Sequence, residues 1–342
     1  MTAEAPILQV EGLTKTFPVR QDFLDRLRRR TARAVQALSD VDLQVQRGET
    51  LGIVGESGCG KSTLARCLVR LYPADRGTVR YGALDVLHLR GPSLRAYHRR
   101  VQMIFQDPFS SLNPRMTVGQ VLGEALRVHK MRPPAEIPAR IRELLGLVGL
   151  PPEAANRLPH EFSGGQRQRI GIARALALEP ETLIADELVS ALDVSVQAQV
   201  VNLLLDLQTR LGLTVLFVAH DLRLVRHLSH RVAVMYLGRV VEVAETEHLF
   251  ARPGHPYSRA LLAAAPTLDP AQRGEAPAVR GELPSPLNVP SGCAFRTRCP
   301  LAYERCAEER PALREVLPGQ QVACHRAEEV LAGGVLAQGG PT

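Results

Sequence analysis

Residues 51–64 read LGIVGESGCGKSTL. A short apolar run ends at Val54, a glycine-rich turn follows, and apolar residues then recur at helical spacing from Leu64 onward. The turn, from Gly55 to Ser62, fits the pattern G-x-x-x-x-G-K-[ST]. Its glycines allow consecutive backbone N–H groups to point inward, and the dipole of the following helix adds positive potential. We therefore predict a phosphate-binding loop between a buried strand and a helix.

The side chains of this loop indicate a nucleotide bound with a metal. Lys61 can reach the β- and γ-phosphates, and the Ser62 hydroxyl can ligate Mg²⁺. A chance glycine-rich turn is the alternative, and the flanking strand and helix argue against it. The predicted nucleotide-binding residues of the loop are Gly55, Ser57, Gly58, Cys59, Gly60, Lys61, Ser62 and Thr63.

A second motif, which is acidic, follows the apolar strand at residues 183–185. Asp186 and Glu187 come directly after it. A carboxylate at a buried strand end is costly unless a cation pairs with it, and Mg²⁺ is the natural one beside a phosphate-binding loop. We predict that Asp186 is a magnesium ligand and that Glu187 polarises the attacking water. Away from such a loop, the same pattern would often be coincidence.

The rest of the chain predicts an α/β fold with a parallel sheet, because strand and helix patterns alternate. Strands are expected at residues 7–17, 41–46, 51–54, 101–105, 183–185 and 213–219, a hairpin at 232–243, and helices at 164–178 and 195–211. The composition changes past residue 250, where prolines accumulate and four cysteines follow. We expect a main domain over 1–250, a loop-rich C-terminal module over 251–326 and a disordered tail over 327–342.

Composition excludes several classes of protein. The 342 residues are 45% hydrophobic and 23% charged, which is typical of a folded globular chain. The sequence has no apolar run of membrane-spanning length and no secretory signal, so a cytosolic location is expected. The net charge of +7 includes one dense basic run: Arg26, Arg28, Arg29, Arg30 and Arg33. A solvated loop is the favoured interpretation of this run, and an anionic surface is the alternative.

Residues 162–168, FSGGQRQ, predict a helix start at which Ser163 is the N-cap and two glycines expose amides. With this motif the chain resembles the ATP-binding subunits of ABC transporters. Five motifs occur in the family's order: the P-loop, Ser163–Gln166, Asp186-Glu187, Ser190–Asp193 and Val218–Asp221. The resemblance implies an ATPase with an ABC nucleotide-binding domain, built from a RecA-like core, an antiparallel β subdomain and a helical subdomain.

The resemblance also implies roles for individual residues and a head-to-tail dimer with ATP between the subunits. Phe17 matches the aromatic residue that stacks on adenine, with an ordinary core phenylalanine as the alternative. Gln106 matches the glutamine that senses Mg²⁺ and the attacking water, and His220 matches the switch histidine on the γ-phosphate. The residues that would touch the partner's nucleotide or the dimer seam are Ser163, Gly164, Gly165, Gln166 and Asp193. Leu188 departs from the family, which usually has proline there; this departure puts the loop geometry in doubt.

Beyond these motifs, the sequence is similar to the second ATPase subunit of dipeptide and oligopeptide importers over about residues 7–326. The stretches that carry this similarity include residues 55–66, 111–119, 161–176, 191–200 and 255–262. It implies a paralogous ATPase subunit as heterodimer partner, two membrane permease subunits that dock near residues 107–130, and an extracytoplasmic peptide-binding protein. The chain would then be peripheral on the cytoplasmic face of the membrane and would bind no nucleic acid. An importer for nickel or another small solute is the alternative, and a soluble ABC ATPase acting on DNA or the ribosome is disfavoured.

The four cysteines of the tail are Cys293, Cys299, Cys306 and Cys324. In a reducing cytosol, such a group suggests metal rather than disulfides. Paired zinc knuckles are absent from the sequence, and the wide spacing favours an iron–sulfur cluster, with zinc or no metal as alternatives. Importer subunits with the same cysteine tail are thought to carry [4Fe–4S], and we predict a structural role for it here.

Overall fold

The computed structural model describes residues 5–19, 34–106, 112–190, 192–264 and 282–333. The basic run at residues 26–33 lies outside them, and so do residues 107–111 at the start of the predicted permease-docking region. Within the described ranges no helix is both long and apolar enough to cross a bilayer.

The strands form two sheets, and they are numbered here in chain order. Their bounds are β1 Leu8–Pro18, β2 Ala34–Val45, β3 Thr50–Val54, β4 Arg76–Tyr81, β5 Leu84–Asp85, β6 Val101–Ile104, β7 Thr182–Asp186, β8 Thr214–Val218, β9 Arg231–Tyr236, β10 Arg239–Glu245, β11 Arg314–Leu317 and β12 Gln320–Val322. The larger sheet has the order β11-β12-β10-β9-β3-β8-β7-β6, and the smaller has the order β2-β1-β4-β5.

The centre of the larger sheet is parallel. Strand β3 pairs with β8 and β9, and β7 pairs with β6 and β8, all in parallel. Every residue of β3, β7 and β8 is buried, as expected for strands covered on both faces. The predicted parallel sheet and the hairpin of β9 and β10 are confirmed. The smaller sheet is antiparallel throughout.

Helices cover the larger sheet and form a separate helical segment between β6 and β7. Their bounds are α1 Lys61–Leu68, α2 Gly91–Arg100, α3 Val118–Val128, α4 Ile137–Leu147, α5 Gly164–Leu176, α6 Val194–Leu211, α7 Leu222–Leu228, α8 Thr246–Ala251, α9 Pro256–Ala263, α10 Glu304–Glu308 and α11 Ala327–Leu331. Short 3₁₀ turns occur at Val86–His88, Pro134–Glu136, Pro152–Asn156 and Pro159–Glu161.

Two apolar cores result. One fills the space between the larger sheet and helices α3 to α7, and reaches Tyr257 and Phe295 of the C-terminal region. The other lies between the two sheets and around α1. The second core fixes α1, and therefore the P-loop, against both sheets.

The C-terminal region is joined to the larger sheet more closely than its loop-rich sequence suggests. Strand β12 pairs with β10, with Val322 opposite Glu242. Helix α11 occupies the beginning of the segment expected to be a disordered tail. Burial of Ala327 and Val330 holds this helix against the rest of the protein. The prediction of disorder from residue 327 is therefore wrong at its start, and residues 334–342 lie outside the described part of the chain.

Candidate functional site

The P-loop connects the end of β3 to the start of α1, as its sequence predicts. Lys61 is buried, and its ammonium group donates hydrogen bonds to the carbonyl oxygens of Gly55 at 2.8 Å and Glu56 at 3.0 Å. The ammonium thus lies in the concave side of the loop. An incoming phosphate would offer this group a stronger, charge-assisted partner than the two carbonyls.

Gly60 shows why the loop needs glycine. It is the N-cap of α1 and has a φ of +105°, a conformation that side chains rarely adopt. A Cβ atom at this position would lie 2.3 Å from the carbonyl oxygen of Ala37, so β2 approaches the loop too closely for any larger residue.

Ser62 and Asp186 meet beside this loop. The Ser62 hydroxyl donates a 2.7 Å hydrogen bond to Oδ1 of Asp186, which is fully buried at the end of β7. The other carboxylate oxygen, Oδ2, has no hydrogen-bond partner and lies 3.9 Å from the Arg66 guanidinium. Burial raises the pKa of Asp186, an effect that the Ser62 hydrogen bond and Arg66 partly offset. A hydroxyl beside a buried carboxylate with an unpaired oxygen is the donor set that Mg²⁺ prefers.

Three further predicted residues lie at the ends of neighbouring parallel strands. The Gln106 side-chain amide, just after β6, donates a hydrogen bond to the Glu187 carboxylate at the end of β7. The Glu187 backbone N–H donates to the carbonyl of Val218 in β8, and its φ is +46°. His220 is exposed two residues past the end of that strand. The sheet therefore brings Gln106, Glu187 and His220 to one edge.

Phe17 lies near the end of β1 and is half-buried. It makes an edge-to-face contact with Tyr72 at 5.3 Å, and Tyr72 in turn accepts a hydrogen bond from Arg66 on α1. Phe17 keeps part of its surface accessible, unlike a fully packed core residue.

Ser163 caps α5 through a capping box with Gln166. Its hydroxyl accepts from the Gln166 N–H at 3.3 Å, and its own N–H donates to the Gln166 side chain at 3.0 Å. A Cβ atom on Gly165 would lie 2.3 Å from Val196, so the helix start packs tightly on α6, whose N-cap is Asp193. The two capping-box hydrogen bonds join Ser163 and Gln166 to each other, the Ser163 carbonyl accepts from the Arg167 N–H, and among the described residues none of these bonds reaches the P-loop.

The four cysteines of the C-terminal module line one small cavity together with His255, Phe295 and Leu301. Backbone N–H groups point at the sulfurs, including that of Arg326 at 3.4 Å from Cys324 Sγ. Burial raises the pKa of Cys299 to about 12 and that of Cys324 to about 11. Among the described residues, no three His, Cys, Asp or Glu side chains are spaced to hold a metal ion.

The sequence did not indicate that this module contacts the P-loop. Arg298 forms a bidentate ion pair with Glu56, at 2.7 and 2.9 Å, and the Tyr257 hydroxyl accepts the Glu56 backbone N–H at 2.9 Å. Arg298 is 242 positions away from Glu56 and has no periodicity or motif of its own, so no local signal could have revealed the pair.

Comparison with known proteins agrees with this geometry. Residues 38–190 match the family model described as ABC transporter, and residues 241–306 match the C-terminal region of oligopeptide/dipeptide transporters. The chain is 52% identical to a putative peptide import ATP-binding protein of Brucella ovis, over 94% of this chain and 98% of that one. The chain belongs to the ABC transporter ATPases.

Two further similarities define its place in that family. The oligopeptide transport ATP-binding protein AppF of Bacillus subtilis is 48% identical over 95% of this chain and 99% of its own length. Among solved structures, the dimeric ATP-binding cassette MJ0796 in a post-hydrolysis state with ADP and Pi has a TM-score of 0.61 at 28% identity, over 70% of this chain and 98% of that one. The predicted fold is confirmed.

This ABC ATPase departs from the usual family sequence at Leu188. Its side chain is 1% exposed and belongs to the core between the larger sheet and the helices. Apolar burial anchors the loop after Glu187, where the family's proline would restrict the backbone instead.

Proposed function

We propose that this chain hydrolyses ATP to drive import of dipeptides or oligopeptides as a peripheral subunit on the cytoplasmic face of a membrane transporter. The observation that carries the proposal is the similarity along nearly the whole chain to relatives named for peptide import, with the oligopeptide/dipeptide C-terminal region included. The geometry of the nucleotide site supports the catalytic part.

Mg²⁺ fits the contact between Ser62 and Asp186, because both supply oxygen and Asp186 Oδ2 lacks a hydrogen-bond partner. When bound there, the ion would neutralise phosphate charge. Lys61 exchanges its two carbonyl partners for the β- and γ-phosphates. Glu187, held by Gln106, accepts the proton of the attacking water, and His220 contacts the γ-phosphate.

A second subunit completes the site in this proposal. The exposed start of α5 offers amides and the Ser163 hydroxyl, and its capping hydrogen bonds do not reach the P-loop within the part of the chain that the structure describes. Asp193 lies next to Val194, an apolar residue that is 76% exposed. An exposed valine at the start of α6, where Asp193 makes no side-chain capping hydrogen bond, suits an interface. We propose that a paralogous ATPase subunit covers this surface and shares ATP across the seam.

A groove on the helical side of the larger sheet is the docking surface that we propose for the permease subunits. The groove, of about 560 Å³, lies between the larger sheet and α3, and its lining includes Phe105, Met116 and Val128, the last of which is 69% exposed. We propose that helices from the two membrane subunits dock in this groove. We propose that an extracytoplasmic binding protein delivers peptide to the membrane subunits.

We also propose that Cys293, Cys299, Cys306 and Cys324 hold an iron–sulfur cluster. Four thiols around one cavity, with backbone N–H groups aimed at sulfur, are the donor chemistry that such a group requires. Their present spacing does not match a bound metal ion, so binding would draw the sulfurs together. Anaerobic purification with iron and sulfide analysis tests this; a colourless protein with stoichiometric zinc, or with no metal, refutes the cluster.

The experiment that tests the function is reconstitution. The chain is co-expressed with its membrane subunits and partner ATPase, captured by a tag on a permease subunit, and assayed in vesicles for ATPase activity with binding protein and peptide. Stimulation by peptide supports the proposal. Stimulation by nickel or another small solute instead of peptide, or failure to assemble, refutes it.

A further inference from the structure

Glu56, the second residue of the P-loop, is held at each of its polar groups. Its backbone carbonyl accepts a hydrogen bond from Lys61, its backbone N–H donates to the Tyr257 hydroxyl, and its carboxylate pairs with Arg298. Only the first of these partners belongs to the loop. The other two come from the C-terminal part of the chain, beyond residue 250.

Arg298 is well placed to fix the carboxylate. Its side chain is 7% exposed, and both terminal nitrogens contact Glu56 in a fork geometry that a lysine cannot reproduce. The Glu56 carboxylate raises the pKa of Arg298 further, so the guanidinium is charged at every physiological pH. Because the pair is partly removed from water, its geometry is more strongly determined than that of a surface ion pair.

The segment that carries Arg298 is fixed between cysteines. Cys293 donates its N–H to the carbonyl of Cys306, and Cys299 is the next residue after Arg298. Between them, the Phe295 ring packs on Tyr257 at 5.4 Å and on Tyr236 at 5.3 Å. Any change that moves the cysteines therefore moves both residues that hold Glu56.

We propose that the four-cysteine segment positions the P-loop for nucleotide, with Arg298 as the positioning residue that acts through Glu56. The Glu56 carbonyl holds the Lys61 ammonium, so a displaced Glu56 displaces the cation that meets the phosphates. The affinity of the ATP site then depends on the integrity of the cysteine segment. This inference rests on the proposed nucleotide site, and it adds a role for the C-terminal module within the same subunit.

The test measures binding of a fluorescent ATP analogue with Mg²⁺ to the full-length chain. Arg298→Ala should raise the dissociation constant about tenfold, within the range of ordinary coupling between sites, and Arg298→Lys should recover part of this loss. Cys299→Ser should weaken binding in the same direction. Arg310→Ala is the matched control, since Arg310 also joins the C-terminal module to the core, through Asp40 on β2 at 2.7 Å.

Two measurements separate positioning from loss of stability. In a Glu56→Gln background, Arg298→Ala should cause little additional loss of affinity, because its partner is already altered. Binding is reciprocal, so nucleotide should slow hydrogen exchange in residues 293–306 of the wild-type chain. If Arg298→Ala does not fold, Arg298→Lys and the exchange experiment carry the test.

Unchanged affinity in the Arg298 variants, equal effects of Arg298→Ala and Arg310→Ala, or exchange that nucleotide does not alter would each overturn the inference. Failure of the proposed nucleotide site has a different signature, because the wild-type chain itself would then not bind the ATP analogue. Failure of the transport proposal would instead appear in the reconstitution assay.

Discussion

Replacement of Asp186 by asparagine should stabilise the nucleotide-free protein while it abolishes the magnesium dependence of nucleotide binding. The carboxylate is fully buried, and only one of its oxygens has a hydrogen bond. Asparagine keeps an oxygen for Ser62 and removes the buried charge. The aspartate therefore provides a metal ligand but lowers the stability of the nucleotide-free protein, as is common at active sites.

The magnitude follows from the charge on the unpaired oxygen, because a charged unsatisfied group costs more than the neutral one that asparagine leaves. A buried, unsatisfied polar group costs about 1–3 kcal/mol. Arg66 at 3.9 Å from Oδ2 offsets part of this, and the asparagine N–H that replaces the oxygen also lacks a partner. We expect a net gain of about 1 kcal/mol, or a rise in Tm of about 2–4 °C for a chain of this size.

The stabilisation by Asp186→Asn should depend on pH. Burial raises the pKa of Asp186 in the folded state, so the folded protein binds a proton more tightly than the unfolded chain. Stability of the wild type then falls as pH rises through the folded-state pKa. The difference in Tm between the variant and the wild type should be small near pH 4 and should grow toward pH 7.

Thermal unfolding in EDTA, followed by titration of an ATP analogue with and without Mg²⁺, measures both effects. Asp193→Asn, which changes an exposed carboxylate, is the control and should leave Tm unchanged. A lower Tm for Asp186→Asn in EDTA would refute the desolvation argument, and equal enhancement of binding by Mg²⁺ in variant and wild type would remove Asp186 as a ligand.

Three further perturbations test the catalytic groups and the seam. Glu187→Gln should bind ATP but not hydrolyse it, and should trap an ATP-bound dimer with the partner subunit in gel filtration; unchanged turnover would remove Glu187 from the mechanism. Gly165→Ala should cost about 1–3 kcal/mol in denaturant unfolding because its Cβ meets Val196, whereas Gly171→Ala on the same helix meets nothing within 4 Å and should be neutral or stabilising. Val194→Asp should weaken ATP-dependent dimerisation without a change in monomer Tm, and equal dimer yield would exclude this residue from the interface.

Local sequence patterns were sufficient to predict the parallel sheet and the position of the P-loop between a strand and a helix. The buried strands β3, β7 and β8 are continuous apolar runs, and the functional residues directly follow such runs. Gln106 and His220 were named only through the resemblance to ABC ATPases, and the structure places them with Glu187 at one edge because the carboxyl ends of parallel strands share that edge.

The C-terminal region could not be predicted in the same way. Strand β12 has three residues and β11 has four, which is too short for alternation to be recognised. The pairing of β12 with β10 joins positions about 80 residues apart in the chain. The ion pair of Glu56 and Arg298 spans an even longer interval. Such contacts depend on how the whole chain folds back, information that no window of sequence contains.

The pairing of β12 with β10 has a practical consequence for anyone who shortens this protein. A fragment cut after residue 250 would end at the domain boundary that the sequence predicts, yet it would leave one edge of β10 unpaired and able to pair with a strand of a neighbouring molecule. It would also remove Gln320, whose side-chain amide donates a 2.8 Å hydrogen bond to the buried carboxylate of Glu242. We expect such fragments to precipitate, and a soluble minimal version to require the residues through α11.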